Sequence, residues 1–524
     1  MNEISSANTK TMSKIWEILK KALTDSFGVK LYFVIITGLA EVPYLSQYFV
    51  GTIKYGLIWA LLVLVVDFFT ERRFFKTKNI LLFVLMLLSY IVTIILNYSV
   101  ALTSNVLNYC YMILIFLVFY PQPKGADKKT IARKQMYILN YVLVVMITAM
   151  SIVGLIMFVM QFRELIEFNG LRFKVGFIDG RLTGIYRNAI YPTAAIGIIA
   201  AVMQLVMRKL KGSKSKWITA LLCLSIVINY WHVALSDSRG IIIGLAVFLF
   251  AFALLALLQK LKEKQKLNTT ARTILSLALA AVLTVAFYYS TILTRKYSAY
   301  IPALVNTTQT AQTAESAQAA QSSQTDVPSQ TAQTPQPPAL TPIDMERYAA
   351  PDTYGVFTGR TLYWKYALDE VPKNPLFGTG PFYHSTLDTK IEGLFEKFSH
   401  FHNVFVHTLV ALGIVGLLPF VLILALSLWL IIRFLIKSKN SKEYLMIAAL
   451  LSFLAFLLTI NLSDTTILLI IKQSGFIFWI YLGYTMVFAD SGKPFIFNKP
   501  FIALDNKLSE RARTHKSKTN EADE

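Results

Sequence analysis

Runs of about 20 apolar residues recur along almost the whole chain, and they constrain its fold more than any other feature. A helix of that length crosses the roughly 30 Å of hydrocarbon in a bilayer and satisfies its own backbone hydrogen bonds there. The composition agrees, since 55% of the 524 residues are apolar and the mean hydropathy is +0.53. The sequence therefore predicts an all-α polytopic membrane protein with about 12 transmembrane helices. The expected spans are 31–50, 55–70, 79–97, 104–120, 137–160, 188–207, 217–236, 240–257, 272–292, 403–432, 443–461 and 466–487.

The net charge of +21 is concentrated in alternate connections between these spans. Cytoplasmic loops carry such an excess of lysine and arginine, so the pattern orients the chain in the cytoplasmic membrane. Residues 1–30 and 488–524 are then expected in the cytoplasm. Topology accounts for the basic charge, and no nucleic-acid partner is expected. The basic clusters follow the second, fourth, sixth, eighth and tenth spans, at 72–78, 124–134, 208–216, 260–266 and 433–442.

The same topology divides the chain into two membrane regions and one large loop. Residues 31–292 hold the first nine expected spans, and 402–487 hold the last three. Between them, 293–401 are expected to form an extracytoplasmic loop. Its first half, 306–342, is rich in Gln, Thr, Ala, Ser and Pro without aromatic residues, so it is predicted to be disordered. Its second half, 343–401, has aromatic residues and helix signals and is predicted to fold into short helices.

A basic outer loop at 161–187 departs from the charge rule, because it holds arginines on the side where basic residues are rare. One interpretation is a solvated loop with an amphipathic piece, Leu165–Phe173, that lies on the lipid surface. The other is functional. Arg181 and Arg187 lie at the end of this loop, shortly before the span at 188–207, where they could bind an anion.

The fourth outer connection, Leu235–Gly240, is only a few residues long and carries two charges. Charged side chains at membrane depth are costly, so Asp237 and Arg239 are expected to have a role. One alternative is a salt bridge between the two. The other is an anion site, in which Ser236 or Asp237 caps the next helix and its free N–H groups point outward beside Arg239.

A helix is predicted in the folded half of the large loop, from a cap at Thr358 to about Val371. Pro375 prevents its extension. Arg360 lies in the first turn, where a positive charge opposes the helix dipole unless an anion binds there. Arg360 is therefore a further candidate for anion binding.

Arg187, Arg239 and His402 share one geometry, since each stands at the start of a span that runs from outside inward. Helix N-termini favour phosphate, because their N–H groups are unpaired and the dipole is positive there. The planar fork of arginine binds two oxygens of a diphosphate at once. The sequence therefore predicts a diphosphate site at the outer face.

These segments resemble the O-antigen ligase and Wzy-type polymerase family of bacterial polysaccharide enzymes. The resemblance covers roughly residues 180–430, together with the number of spans. Each short motif alone is weak, but three in family order on the expected outer face are specific. The motifs are Ser238-Arg239-Gly240 before an apolar span, Gly359-Arg360 with Trp364, Ala367 and the Pro375–Gly380 turn, and His402-Asn403 with Leu412–Gly416.

The resemblance implies transfer of a glycan from undecaprenyl diphosphate to an acceptor hydroxyl on a glycan, lipid or protein, without cofactor or metal. It implies that His402 accepts the hydroxyl proton and that Arg239 and Arg360 bind the diphosphate. Arg181 and Arg187 are further candidates for diphosphate binding. Other polysaccharide-assembly membrane proteins are candidate partners. The residues expected to support the site are Ser238, Asn403 and Trp364.

The shared motifs leave two reactions open. A polymerase extends repeat units, and a ligase moves finished glycan onto a lipid, protein or wall acceptor. The Lys- and Ile-rich composition is typical of low-GC organisms without lipopolysaccharide and favours a capsule or exopolysaccharide polymerase. A transporter of lipid-linked glycan is another alternative, although such folds show internal repeats and midplane charges. His402 itself has two other interpretations, a structural helix cap and a metal site with His400 and His407.

Overall fold

The computed structural model describes residues 17, 24–121, 123, 127–168, 171–187, 192–264, 268–305, 342–345, 360–386, 400–438, 441–489 and 498–520. Nine helices among these residues are long and apolar enough to cross a membrane. Two shorter apolar helices, Ser26–Ala40 and Ile80–Leu96, accompany them. The multi-pass helical membrane protein is therefore confirmed, whereas the count of twelve spans stays a prediction. Of the segment expected to be disordered, 306–341 lie outside the described residues.

The elements follow the chain in one series of helices, interrupted by a small sheet. Single turns of other helix types occur at Arg73–Lys76 and Val371–Lys373 (3-10) and at Ile115–Phe119 (π). The elements are α1 (Ser26–Ala40), α2 (Pro43–Phe69), α3 (Ile80–Leu96), α4 (Leu102–Leu114), α5 (Lys128–Val159), β1 (Arg163–Phe168), β2 (Leu171–Ile178), β3 (Arg181–Gly184), α6 (Thr193–Lys211), α7 (Lys216–Ser236), α8 (Arg239–Lys264), α9 (Thr269–Ser298), α10 (Arg360–Glu370), α11 (Tyr383–Thr386), α12 (Val404–Lys437), α13 (Ser441–Asn461), α14 (Gln473–Ala489) and α15 (Lys499–Asn520).

The first two helices meet at a different point from the expected one. α1 ends at Ala40, and α2 runs without interruption from Pro43 to Phe69. The predicted spans 31–50 and 55–70 are therefore wrong in their boundaries. Proline lacks an N–H and fits the first turn of a helix, so Pro43 begins α2. The apolar run continues across this break, which is why hydropathy alone does not reveal it.

The expected basic outer loop contains an antiparallel sheet in the order β1-β2-β3. The all-α prediction is wrong here, whereas an amphipathic piece on the lipid surface stays a prediction. Side chains of β2 alternate between two faces, with Val175 and Phe177 buried and Lys174 exposed, as the period of a strand requires. The buried face packs over the ends of α5 and α7, in one cluster with Phe158, Leu182 and Leu235.

Helix α14 lies in the interior of the bundle, and all 17 of its residues are buried. The expected span 466–487 begins too early, because residues 462–472 are not helical. Non-helical backbone is tolerated at membrane depth only where protein covers it. Ile467 and Leu468 of this segment are fully buried, and the carbonyl of Ile467 accepts a hydrogen bond from Trp479 Nε1 at 2.7 Å.

Helix α12 is broken at Gly413, whose φ is +64° and ψ is −169°. The turn at 375–380 enters the gap and forms the backbone hydrogen bonds that a continuous helix would form internally. A Cβ at position 413 would approach the carbonyl of Leu376 to 2.2 Å, so only glycine fits. The bonds run from Ile414 N to Pro375 O (2.9 Å), Val415 N to Leu376 O (3.1 Å), Thr379 N to Val410 O (2.9 Å) and Gly380 N to Ala411 O (2.9 Å).

The same turn is held from a second side by α3. Thr93 Oγ1 donates to the carbonyl of Phe377, and Asn97 Nδ2 donates to the carbonyl of Gly378 at 3.2 Å. The part of the large loop that follows α10 is thereby anchored among the membrane helices. α10 itself begins at Arg360 and gives way to a 3-10 turn before the proline, as expected. Its expected cap, Thr358, lies outside the described residues.

Gly413→Ala is expected to cost at least about 3 kcal/mol in the free energy of unfolding, because its Cβ would meet the Leu376 backbone at a positive φ. Melting temperature and monodisperse yield in detergent measure the loss. Gly212→Ala is the matched control: Gly212 has a φ of +71°, but nothing lies within 4 Å of an added Cβ. The control is expected to lose only about 1 kcal/mol. Equal losses in the two variants would contradict the insertion of the turn.

Candidate active site

The backbone immediately before α12 places His402 at the N-terminal end of that helix. Asn403 is the N-cap, and its Oδ1 accepts hydrogen bonds from the N–H groups of Phe405 and Val406 at 2.9 and 3.1 Å. Its Nδ2 donates to the carbonyl of Leu462 at 3.1 Å. His402 has a φ of +49°, so the chain turns sharply there. Asn403 thus fixes the position of its neighbour.

His402 belongs to a group of four ionisable side chains. Asp464 Oδ1 lies 3.0 Å from His400 Nε2 and 3.8 Å from His402 Nδ1. On the other side, Lys472 Nζ lies 3.9 Å from Asp464 Oδ2. The side chain of His402 is 29% exposed, against 13% for His400. His402 is therefore the histidine of the group that is open to a substrate.

Burial and charge set the protonation of this group. Burial alone would raise the pKa of the Asp464 carboxyl, but Lys472 and the two histidines outweigh it and hold that pKa well below its usual range. Burial lowers the pKa of His400 to about 4, although Asp464 opposes the shift. At neutral pH an ionised carboxylate and a neutral His400 therefore stand beside His402.

Helix α10 brings the large loop to the same place. The Tyr363 ring meets the His402 ring edge to face, with centroids 5.2 Å apart. Trp364 Nε1 donates to the carbonyl of Phe401 at 3.0 Å, so it ties α10 to the residue before His402. Arg360 precedes these two aromatic residues by three and four positions and therefore shares their face of the helix.

The start of α8 reaches this region from another direction. Arg239, the first residue of α8, is exposed, and the buried Ser238 before it accepts the first helical hydrogen bond through its carbonyl. A Cβ on Gly240 would lie 3.1 Å from Ser463 Oγ, so the helix start packs against the neighbour of Asp464. Arg239 and His402 therefore both border the segment 462–464.

The two charges of the α7–α8 turn do not pair with each other. Asp237 Oδ2 lies 3.1 Å from Arg295 Nη1, so the salt bridge with Arg239 that the sequence left open is wrong. The expected cap of α8 by Asp237 or Ser236 is also wrong, since the Ser236 hydroxyl donates to the carbonyl of Val233. Arg181 Nε donates to the carbonyl of Ser236 at 2.9 Å, which places Arg181 next to this turn.

Arg187 does not occupy a helix N-terminus. α6 begins only at Thr193, and the N–H of Arg187 donates to the carbonyl of Glu41 at 3.0 Å. Its guanidinium lies over the Phe173 ring, 5.2 Å from the centroid. The geometry expected for Arg187 is therefore wrong, because the helix begins six residues after it and not directly beside it.

A metal site of His400, His402 and His407 is also not observed. Within the described residues, His400, His402 and Asp464 offer ligand atoms within 4.8 Å of one another, whereas His407 is not in this group. The ammonium of Lys472 beside the carboxylate opposes a divalent cation by charge repulsion. Transfer without a metal stays a prediction.

Asp464 and Lys472 are the site residues that sequence reasoning missed. A signal was present, because Lys472 interrupts the apolar span that was expected at 466–487 and Asp464 lies two residues before that span. Charged residues inside such stretches face the protein interior and pair with one another, and they commonly mark function. What the stretch does not reveal is which distant residues they meet.

An apolar cleft lies between α12, α13 and α14 and begins beside the site. Its volume is about 470 Å³. Phe405 and Leu462 line one end, and both belong to the segments that Asn403 joins. The cleft continues along the membrane-spanning parts of the three helices, lined by Leu424, Ala425, Leu428, Leu451, Ala455 and Leu482.

Comparison with known families gives one match, over part of the chain. Residues 224–421 match the family model described as O-Antigen ligase. The matched region includes Arg239, Arg360 and His402, while Asp464 lies beyond it. No curated protein matches the chain significantly. Over residues 224–421, the match confirms the resemblance that the three motifs indicate.

Acidification from pH 6.5 to pH 4 is expected to lower the melting temperature. Because the pKa of buried His400 is about 4 rather than 6.5, its contribution to stability is complete above pH 6.5 and is lost as the pH falls toward 4. His400→Gln keeps a hydrogen-bond donor toward Asp464 but cannot titrate. Its melting temperature should fall less over this window. Parallel curves for the two proteins would contradict a buried, neutral His400.

Proposed function

Because residues 224–421 match the O-antigen ligase family model, we propose that this chain is an integral-membrane glycosyltransferase of the O-antigen ligase and polymerase family. Its donor is a glycan on undecaprenyl diphosphate, and its acceptor is a hydroxyl group. The reaction takes place on the outer face of the cytoplasmic membrane, with both ends of the chain in the cytoplasm. The alternation of basic connections supports this orientation.

One observation carries the proposal: a solvent-accessible histidine stands beside a buried carboxylate where two arginine-bearing helices begin. His402 lies 3.8 Å from Asp464 through Nδ1, which leaves its Nε2 to face a substrate. Tyr363 and Trp364 hold the helix that starts with Arg360 against the same segment. Such an arrangement suits a reaction with one proton to accept and one anion to stabilise.

In the proposed step, the acceptor hydroxyl oxygen attacks the anomeric carbon of the donor glycan. His402 accepts the hydroxyl proton as the new glycosidic bond forms. The bond from the anomeric carbon to the diphosphate breaks, and the lipid diphosphate leaves with the electron pair. Asp464 stabilises the imidazolium that forms, because it remains ionised in its buried position. His402 then returns the proton to solvent or to the leaving diphosphate.

Arg239 and Arg360 bind the diphosphate in this proposal. Arg239 begins α8 and Arg360 is the first described residue of α10, so the fork of each is combined with the positive end of a helix dipole. Arg181 supports Arg239 through its bond to Ser236 and contributes charge nearby. Arg187 is the weakest of the four candidates, because no helix begins beside it.

The apolar cleft gives the lipid part of the donor a place. A polyprenyl chain must remain in hydrocarbon while its diphosphate reaches the polar site. The cleft connects the two environments, since it begins at Phe405 and Leu462 beside the helix cap and continues between α12, α13 and α14. The bilayer already removes this chain from water, so the cleft is expected to select it by van der Waals packing and shape.

Polymerisation of capsular or exopolysaccharide repeat units is the preferred form of the reaction, and ligation of finished glycan is the alternative. The products of a deletion strain separate them. Accumulation of single repeat units on the carrier supports a polymerase, whereas long unattached chains support a ligase. Other membrane proteins of polysaccharide assembly are the expected neighbours in either case.

Donor binding by Arg239 and proton acceptance by His402 are expected to affect different kinetic constants. These constants are measured on the purified protein in lipid with a carrier-linked glycan. Arg239→Lys keeps the charge but loses the fork, so the KM for the donor should rise about 10-fold or more. His402→Ala should leave donor binding nearly unchanged while kcat falls about 100-fold or more. Arg163→Lys, on the exposed strand β1, is the control and should behave as the wild type. Loss of donor binding in both site variants would contradict the proposed role of His402 as a base and indicate that it is a structural helix cap.

Filling the cleft is expected to weaken binding of long-chain donors specifically. Ala425→Trp places a large side chain in the cleft, and the donor KM should rise about 10-fold, because the prenyl chain loses its packing contacts there. A donor with a much shorter prenyl chain should be unaffected. Ile432→Trp, which faces outward on α12 and does not line the cleft, is the matched control. Unchanged KM for the long-chain donor would exclude the cleft as its binding site.

A further inference from the structure

Arg295, near the C-terminal end of α9, holds the turn that precedes Arg239. Its Nη1 lies 3.1 Å from Asp237 Oδ2. Its Nη2 donates to the carbonyl of Gly180 at 2.9 Å and to the carbonyl of Met345. The side chain is only 15% exposed. One guanidinium therefore joins α9, the β2–β3 turn, the α7–α8 turn and the first described residues of the folded half of the large loop.

We infer that Arg295 is a positioning residue for the donor, because it fixes the direction in which α8 begins and hence where Arg239 points. Only Asp237 and Ser238 separate α7 from α8. Asp237 has a φ of +48°, a conformation that a residue other than glycine holds only when its surroundings support it. The ion pair with Arg295 is that support.

This position requires arginine rather than any cation. The guanidinium presents five N–H donors in a plane and can serve a carboxylate and two carbonyls together, whereas an ammonium cannot match this geometry. Arg181 adds a second constraint, since its Nε donates to the carbonyl of Ser236 immediately before Asp237. The turn is thus held at two successive residues by two arginines from different elements.

The contact with Met345 extends the effect toward the second arginine of the site. Residues 342–345 precede α10 in sequence, and the N–H of Ile343 donates to the carbonyl of Ala299 at 3.0 Å, one turn beyond Arg295. Arg295 therefore holds both the turn before Arg239 and the segment that leads toward Arg360. A role confined to local packing would not require contacts with both.

The inference rests on the proposed role of Arg239, and a double-mutant cycle tests the two separately. The full chain in lipid is assayed with an undecaprenyl-diphosphate-linked glycan. Arg295→Lys is expected to raise the donor KM about 10-fold while kcat changes less than about 3-fold. Because Arg295 acts through Arg239, adding Arg295→Lys to Arg239→Lys should raise KM no more than about 2-fold further. Arg272→Lys, at the opposite end of α9, is the control and should not change KM.

Three results would each contradict either the inference about Arg295 or the proposed role of Arg239. If the two KM increases multiply in the double variant, Arg295 acts independently of Arg239 and the inference fails. An unchanged KM in Arg295→Lys alone also overturns the inference but leaves the proposed function intact. An unchanged KM in Arg239→Lys overturns the proposed role of Arg239 itself. If Arg295→Lys does not fold, Asp237→Asn breaks the same pair from the other side, and the same coupling is expected.

Discussion

Backbone hydrogen bonds between the 375–380 turn and the break in α12 stabilise the part of the protein that carries the candidate active site. A membrane helix normally pairs its own N–H and C=O groups, and an interruption leaves groups unpaired at a cost of several kcal/mol each in hydrocarbon. Here the turn supplies the missing partners, and Gly413 allows the two backbones to approach. Each element therefore completes the other. The position of the large loop relative to His402 follows from this pairing, because both the turn and His402 are attached to the first turns of α12.

Around this anchor, the site is assembled from segments that are far apart in sequence. The His402–Asn403 corner and the start of α8 border the non-helical segment after α13, and α10 contacts His402 through Tyr363. That segment contributes the one carboxylate of the group, Asp464, and also Lys472, which keeps it ionised despite burial. A charged pair inside a membrane protein is stable only where each member has partners. The same pairing keeps an ionised carboxylate beside the partly exposed His402, the residue proposed to accept the proton.

Features that depend on neighbouring residues in the sequence could be predicted. Features that depend on residues far apart in the sequence could not. The apolar runs, the histidine at a helix start and Arg239 at the next outer corner are local, and the family match agrees with the motifs they form. The partner of Asp237 is 58 positions away in Arg295, so proximity in sequence suggested Arg239 instead. Asp464 was visible only as a stray charge until His400 and His402 were placed beside it. The β-sheet was missed because its alternation was interpreted as an amphipathic surface segment.

The hydrogen bond between Ile343 and Ala299 has a consequence for the low-complexity stretch between them. The chain that returns after this stretch is attached at Ile343 to Ala299, near the C-terminal end of α9. The entropy of closing a loop grows only with the logarithm of its length, and each doubling costs about 0.6 kcal/mol. The length of this stretch is therefore almost decoupled from the stability of the site. A change in the number of residues between Ala299 and Ile343 is therefore expected to leave the Arg295 contacts in place, because both attachment points lie outside the stretch that changes.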